Sequence, residues 1–201
     1  MPEKRQHTVG VVIPCYKSKD KIISVIDEIG TEVERIYIVD DACPEGSGCY
    51  VEENCSDPRI RILYNQENLG VGGAVMKGYK AAIEDNVDII VKIDSDGQMN
   101  PKLIPRFIGP ICQGLADYTK GNRFYDIEDT HQMPAVRFMG NSALAFMAKL
   151  SSGYWDIFDP TNGFTAIHCE VAKRLPLRKI SRRWFFETDI LFRLNLLRAV
   201  V

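Results

Sequence analysis

The sequence lacks the long apolar stretches and the charge excess that mark several classes of protein. Its 201 residues include 25 basic and 27 acidic side chains, and the net charge of −2 at pH 7 is unlike that of a non-specific nucleic-acid binder. No apolar run approaches the roughly 18 residues that cross a bilayer. The polar start, MPEKRQH, is unlike a signal peptide. We therefore expect a globular chain with no nucleic-acid partner.

Cysteine is also scarce, and its pattern does not favour a metal site. The evenly spaced Cys43, Cys49 and Cys55 form no CxxC pair and have no histidine near them in the sequence. Six cysteines in a chain of this length are too few for a disulfide scaffold. Reduced thiols are the simpler interpretation.

The C-terminal residues are apolar and carry neither a glycine nor a polar tail. Residues 193–201 read RLNLLRAVV, and a domain rarely ends in such a run. We therefore expect this chain to be a piece of a longer parent protein.

Short apolar strands alternate with amphipathic helices through the first half of the chain. The predicted strands there are 9–13 (ended by Pro14), 35–39, 60–64 and 87–93, and the predicted helices are 20–29, a short one ending near 54, 70–85 and one from Pro101. In the second half the predicted strands are 118–121 and 165–167, and the predicted helices are 134–151 and 187–201. Continuous apolar strands in this alternation predict an α/β fold with a mainly parallel sheet flanked by helices.

Two acid clusters stand directly after predicted strands. Asp94 and Asp96 follow the fourth strand, and Asp40 and Asp41 follow the second. Ligands of parallel sheets bind beyond the carboxyl ends of the strands, so both clusters should border one crevice. Carboxylates at i and i+2, with Gln98 as a further oxygen donor, suit Mg²⁺ or Mn²⁺. A polar turn and a loop cap are the alternative interpretations of the two clusters.

A glycine-rich segment, residues 68–73, opens the third predicted helix. It matches neither the GxGxxG pattern of dinucleotide folds nor a P-loop. Close packing of the helix start is one interpretation, and phosphate contact through the helix N-terminal amides is the other.

Four motifs in order carry a family resemblance: VVIPCYK at 11–17, IVDDAC at 38–43, NLGVGGAVMKGYKAA at 68–82 and IVKIDSDGQMNP at 90–101. Together they resemble the family 2 glycosyltransferases of the GT-A fold, a Rossmann-like architecture. Three later motifs are GNR at 121–123, DPTNGF at 159–164 and FFETD at 185–189. These are similar to the branch of the family that makes polyprenyl-phosphate sugars.

The resemblance implies a metal-dependent, inverting enzyme that moves a hexose from a GDP- or UDP-sugar to a polyprenyl phosphate, with Mg²⁺ or Mn²⁺ as cofactor. The residues it assigns to nucleotide-sugar binding are Pro14, Tyr16, Asp40, Asp41, Gly70, Lys77, Asp94 and Ser95. The implied metal ligands are Asp94, Asp96 and Gln98. The implied catalytic acids are Asp159, Glu187 and Asp96. The residues assigned to the acceptor phosphate are Arg123, Arg137 and Asn141.

The resemblance also implies an organisation of the chain. One catalytic domain, 1–201, would comprise a nucleotide-sugar-binding half (1–115) and an acceptor-side half (116–201). The apolar stretch 134–151 is expected either at a membrane surface or on transmembrane helices, with packing in the core as the alternative. A polyprenyl-phosphate acceptor and the apolar C-terminal run together predict that the parent protein continues into one or more transmembrane helices. The full-length protein would then work at the cytoplasmic face of a membrane, with homo-oligomers through the missing C-terminal segment as a further expectation.

The chemistry of the acceptor separates this prediction from its main rival. A lipid phosphate is already anionic at neutral pH, whereas a saccharide hydroxyl must lose a proton to a base. Paired arginines therefore favour the phosphate. The alternatives are a family 2 enzyme acting on a saccharide hydroxyl and a non-catalytic nucleotide-binding module, against which the intact acid pair speaks.

Overall fold

A six-stranded sheet forms the centre of the protein, seen in a computed structural model that describes residues 7–122, 146–147 and 149–201. The strands are β1 (Val9–Cys15), β2 (Arg35–Asp40), β3 (Ile60–Tyr64), β4 (Ile89–Lys92), β5 (Tyr118–Lys120) and β6 (Thr165–His168). Their order in the sheet is β3-β2-β1-β4-β6-β5. The first four strands are parallel, while β6 runs antiparallel to both β4 and β5. The predicted mainly parallel α/β sheet is confirmed.

The helices lie between the strands in sequence. They are α1 (Lys19–Asp27), α2 (Ser47–Asn54), α3 (Gly70–Glu84), α4 (Ile104–Cys112), α5 (Cys169–Arg174) and α6 (Phe186–Leu196), with 3₁₀ turns at Pro101–Leu103 and Leu177–Lys179. Within the described residues, no helix is both long enough and apolar enough to cross a membrane.

Side chains that alternate along the strands build one apolar core on each face of the sheet. Val11 and Ile13 of β1 join Ile22 and Ile26 of α1 in the core on one face, where α4 also packs. Val12 points to the opposite face, which is covered by α3, α5 and α6. Because both faces are covered, the strands carry continuous apolar runs, the pattern from which the parallel sheet was predicted.

Several predicted element ends differ from the structure, and contacts with other strands explain two of them. β1 continues through Pro14. Proline has no N–H to donate, and at residue 14 this position faces β4, whose pairing with β1 already ends at Val12 and Lys92. The strand therefore loses no hydrogen bond of the sheet at Pro14. The last helix ends at Leu196 rather than at 201, since Arg198 has a φ of 55° and the next residues leave the helix. The Val200 carbonyl then accepts the amides of residues 117 and 118 at the start of β5, at 2.8 and 3.1 Å.

Arg59, just before β3, ties two chain segments together. Its guanidinium donates to the carbonyl oxygens of Ile29, Gly30 and Val33 at 3.3, 2.7 and 3.1 Å. It also lies 2.7 Å from the carboxylate of Asp57. The hydrogen bonds that the guanidinium donates to this carboxylate hold the pKa of Asp57 below its ordinary value. The side chain therefore anchors the loop before β2 to the edge strand.

Replacing Arg59 with alanine is expected to lower the free energy of unfolding by about 2 kcal/mol, because several charge-assisted hydrogen bonds are lost together. Arg61→Ala is the matched control. The Arg61 side chain is 47% exposed beside Asp85, so its loss should change stability by less than about 1 kcal/mol. Urea denaturation measures both changes.

The stability lost in Arg59→Ala should depend on pH. The ion pair with Asp57 stabilises the fold fully above the ordinary carboxyl pKa, and this stabilisation disappears as the pH falls through the lowered pKa of Asp57. The difference in free energy of unfolding between wild type and Arg59→Ala should therefore shrink in acid. Equal losses in the two variants would contradict the anchoring role.

Candidate active-site cleft

A cleft of about 1640 Å³ opens at the carboxyl ends of β1, β2 and β4. The starts of α3, α4 and α6, the segment before the antiparallel β6 and the end of β5 also contribute to its described wall. The sequence-predicted residues that the structure brings to this wall are Pro14, Tyr16, Asp41, Gly70, Asp94, Ser95, Asp96, Gln98 and Glu187. Both acid clusters thus contribute to the same crevice.

The turn after β4 carries the two carboxylates of the predicted metal site. Gly97, at a φ of 72°, reverses the chain, and Asp96 Oδ1 accepts the Gln98 amide at 3.0 Å. In the described part of the chain, no three His, Cys, Asp or Glu side chains gather closely enough to hold a metal ion by themselves. Mg²⁺ is commonly held by one or two carboxylates together with substrate phosphates. The pair Asp94 and Asp96 therefore fits a cation that binds together with a diphosphate.

A buried lysine stands behind this turn. Lys92, the last residue of β4, is only 1% exposed. Its Nζ lies 2.6 Å from Asp94 Oδ1 and 3.6 Å from Glu187 Oε1. One ammonium group therefore links the turn after β4 to the start of α6. Burial raises the pKa of the Glu187 carboxyl, which the positive charges of Lys92 and Lys120 partly offset. Sequence reasoning missed Lys92, although a charge inside an apolar strand was a visible signal.

Gly163 closes over the same ion pair. A Cβ at this position would overlap Lys92 Nζ and Asp94 Oδ2, and it would also lie 3.1 Å from Met99 Cε. A side chain at this position of the DPTNGF motif would therefore have to displace the ion pair.

Gly163→Ala is expected to lower the free energy of unfolding by about 1–3 kcal/mol, because the added methyl must displace a buried ion pair. Gly109→Ala is the matched control. A Cβ there would meet only Gln113 Nε2, at 4.0 Å, and alanine in a helix is favoured over glycine by up to about 1 kcal/mol. Thermal or urea denaturation of both variants tests the pair. A Gly163→Ala protein as stable as the wild type would show that the ion pair is not confined as described.

Asp40 holds a loop rather than facing the cleft. Its carboxylate accepts the amides of Cys43 and Gly48, both at 2.7 Å, and the side chain is buried. Asp40 is absent from the described wall of the cleft. Its contact with the nucleotide stays a prediction. In the structure, the Asp40 carboxylate holds the backbone of residues 41–48 in place.

Asp41 reaches the cleft wall and also caps α3. Its carboxylate accepts the amides of Leu69 and Gly70 at 2.9 and 2.8 Å and the side-chain amide of Asn65 at 2.6 Å. The helix N-terminal amides proposed for phosphate contact are thus partly engaged by an acid of the protein itself.

The glycines at the start of α3 allow another chain segment to come close. Gly70 has a φ of 78°, and a Cβ there would lie 2.6 Å from the Arg182 carbonyl oxygen. A Cβ at Gly72 would overlap the Ser181 carbonyl oxygen. The amide of Gly73 donates to the Arg182 carbonyl at 3.2 Å. Close packing at this helix start therefore occurs, and its partner is the backbone of residues 181–182.

Other assigned residues lie away from the cleft wall or outside the described residues. Asp159 is 1% exposed and holds its own turn, accepting from Thr161 Oγ1 and Asn162 Nδ2, both at 3.3 Å. The Lys77 ammonium donates to the Tyr64 carbonyl at the end of β3. The residues outside the described ranges are Arg123, Arg137 and Asn141, together with most of the predicted helix 134–151. Their roles stay predictions.

The cleft wall contains further polar and aromatic residues that sequence reasoning did not single out. Lys120, at the end of β5, donates to the Asn162 carbonyl and faces the same cleft as Arg106 and Trp184. No local pattern marks these residues, since they come from a strand end, a helix and a loop that only the fold brings together.

The fold is that of the GT-A glycosyltransferases. The sequence profile described as "Glycosyl transferase family 2" matches residues 10–175, and the chain belongs to that family. The predicted family and enzyme class are thereby confirmed.

Named relatives and a solved structure agree with this family. The chain is 28% identical over 190 residues to the UDP-N-acetylglucosamine–dolichyl-phosphate N-acetylglucosaminyltransferase of Methanococcus voltae, covering 88% of this chain and 75% of that protein. It is 26% identical over 189 residues to the undecaprenyl-phosphate mannosyltransferase of Micrococcus luteus, covering 92% and 76%. The glucosyl-3-phosphoglycerate synthase of Mycobacterium tuberculosis, solved with Mn²⁺, UDP and phosphoglyceric acid, has the same fold, with a TM-score of 0.71 and 20% identity. The match covers 95% of this chain but only 65% of that solved chain.

Proposed function

We propose that this chain transfers a hexose from a nucleotide diphosphate sugar to a polyprenyl phosphate, with Mg²⁺ or Mn²⁺ and with inversion at the anomeric carbon. The observation that carries the proposal is the pair of cleft-facing carboxylates, Asp94 and Asp96, at the end of β4. The names of the two relatives, one a dolichyl-phosphate and one an undecaprenyl-phosphate transferase, support the choice of acceptor.

In this proposal, the donor side of the cleft takes the cation and the nucleobase of the nucleotide sugar. Asp94, Asp96 and Gln98 would hold the cation, which when bound neutralises charge on the departing diphosphate. Tyr16 is 44% exposed at the cleft wall beside Pro14, and its ring offers a face to a nucleobase. Lys92 keeps the Asp94 side chain in place from below.

On the acceptor side, the reaction needs positive charge more than a strong base. An oxygen of the lipid phosphate attacks the anomeric carbon, the bond from that carbon to the diphosphate oxygen breaks, and the nucleoside diphosphate leaves. The phosphate is already ionised, so the described cations at the cleft wall need only orient it and screen its charge. These cations are Arg106, Lys120 and Arg183. Glu187 also lies on the wall, where it can contact the donor sugar.

Transfer from a panel of UDP- and GDP-hexoses to a short polyprenyl phosphate, with either metal or with chelator, tests the proposal. We expect one nucleotide series to support transfer, and we expect chelator to abolish it. Saccharide acceptors run in parallel, because transfer to those alone would favour the hydroxyl-acceptor rival. Calorimetry of UDP and GDP binding completes the test. Metal-dependent binding without turnover on any acceptor would indicate a nucleotide-binding module.

A further inference from the structure

A strongly basic stretch precedes α6. Between Glu170 and Glu187 the sequence contains no acidic residue, in a chain whose net charge is −2. The same stretch contains the cations Lys173, Arg174, Arg178, Lys179, Arg182 and Arg183. Such a local excess of one sign indicates an anionic partner.

The end of this stretch projects two cations and two aromatic rings into solvent. Residues 182–185 are four consecutive exposed residues. Trp184 is 92% exposed and Phe185 is 61% exposed. Large aromatic side chains are normally buried, so two neighbouring ones in water mark a contact surface.

The backbone beneath these side chains is held firmly. The Arg182 carbonyl accepts the Gly73 amide at 3.2 Å, and the amide of Ser181 donates to Asp189 Oδ2 at 2.7 Å. The amide of Phe186 donates to the Arg183 carbonyl at 2.9 Å. The backbone that carries the rings is therefore tied to α3 and α6.

We propose that residues 182–185 form a membrane-contact surface, in which the two arginines bind anionic lipid headgroups and the two aromatic rings enter the interface. Arginine and tryptophan together are typical of protein surfaces that lie at the headgroup level of a bilayer. This inference rests on the proposed function, because Arg183, Trp184 and Phe185 also border the cleft, where a lipid phosphate would enter. The exposed Met147, at 62%, adds an apolar side chain to the same cleft wall.

The two tryptophans of the chain make the surface directly measurable. Trp155→Phe leaves Trp184 as the only tryptophan. With vesicles of phosphatidylcholine and phosphatidylglycerol, its emission should move to shorter wavelength, and brominated lipids should quench it. Vesicles of phosphatidylcholine alone should give a smaller change, and salt should reverse the binding, because exposed charges are screened.

A charge reversal tests the basic part of the surface. Arg182→Glu should weaken binding to the anionic vesicles by about tenfold or more, since each basic residue near such a surface contributes on the order of 1 kcal/mol. Arg35→Glu makes the same change on an exposed residue at the opposite end of the sheet and should alter vesicle binding by less than about twofold. Equal effects of the two reversals, or an unshifted Trp184 emission, would overturn the proposal. A shift that depends on protein concentration without vesicles would also overturn it, in favour of self-association.

Sugar transfer to a short, water-soluble prenyl phosphate without vesicles separates this inference from the proposed function. Transfer with no vesicle response of Trp184 would overturn the surface and leave the function standing. Vesicle binding through Trp184 without transfer to any acceptor would overturn the function and leave the surface standing.

Discussion

Asp96→Asn is expected to lower the rate of sugar transfer by about a hundredfold or more, while the chain stays folded. Removing one preorganised electrostatic group from an active site typically costs about 10²–10³ in rate. Within the described residues, the Asp96 carboxylate accepts a hydrogen bond from the Gln98 amide, and asparagine can keep it. The loss should therefore appear in transfer and not in stability. Steady-state rates at saturating donor and metal measure it.

The matched control for this variant is Asp27→Asn. Asp27 is an exposed acid at the end of α1, at the edge of the sheet away from the cleft. It makes the same chemical change without touching the turn after β4, so transfer should stay within about twofold of wild type. If Asp96→Asn kept wild-type transfer and metal-dependent nucleotide binding, the proposed metal site would be wrong.

Lys92→Met is expected to lower the free energy of unfolding by about 3 kcal/mol and to remove most transfer activity. Methionine matches the length of the lysine stem but takes away the ammonium that faces Asp94 and Glu187. Breaking a buried ion pair on one side typically costs about 3–5 kcal/mol, and the partial exposure of Asp94 places the loss at the lower end. Lys80→Met, an exposed position on α3, is the matched control and should be nearly neutral.

The pH dependence of the Lys92→Met deficit has a definite sign. Burial already raises the pKa of Glu187, and the charge of Lys92 opposes that rise. Without Lys92 the Glu187 pKa should rise further, so the unfolded state should release this carboxyl proton at a lower pH than the folded state does. The deficit should therefore be smallest in acid and should grow towards neutral pH. Lys92→Met/Glu187→Gln should recover part of the stability, and strict additivity in this double-mutant cycle would show that the two groups do not interact.

Much of the fold was accessible from the sequence because its strands are short, apolar and uninterrupted. β2 and β3 lie where the apolar runs indicate, and the acid residues that follow β2 and β4 reach the cleft because parallel strands end at one edge of the sheet. The helix bounds were less accessible. The last helix stops at Leu196 because residue 200 pairs with the start of β5, a contact between distant parts of the chain.

The details of the site depend on contacts that no local pattern encodes. Asp40 and Asp41 are adjacent and of the same residue type, yet their side chains have different partners. Asp40 binds the amides of the loop that follows it, whereas Asp41 caps α3 at the cleft wall. The partnership of Lys92 with Glu187 joins residues that are far apart in sequence. Which acid faces the ligand and which charges are paired are therefore decided by packing.

The chemical linkage in the product tests the central claim most directly. We predict that a reaction with a ¹³C-labelled donor sugar, a polyprenyl phosphate and Mn²⁺ gives a sugar whose anomeric carbon is coupled to phosphorus in the NMR spectrum. Its anomeric configuration should be opposite to that of the donor. Formation of the product should require Asp96 and be abolished by chelator. A sugar joined instead to a saccharide hydroxyl, or a product that retains the donor configuration, would contradict the account.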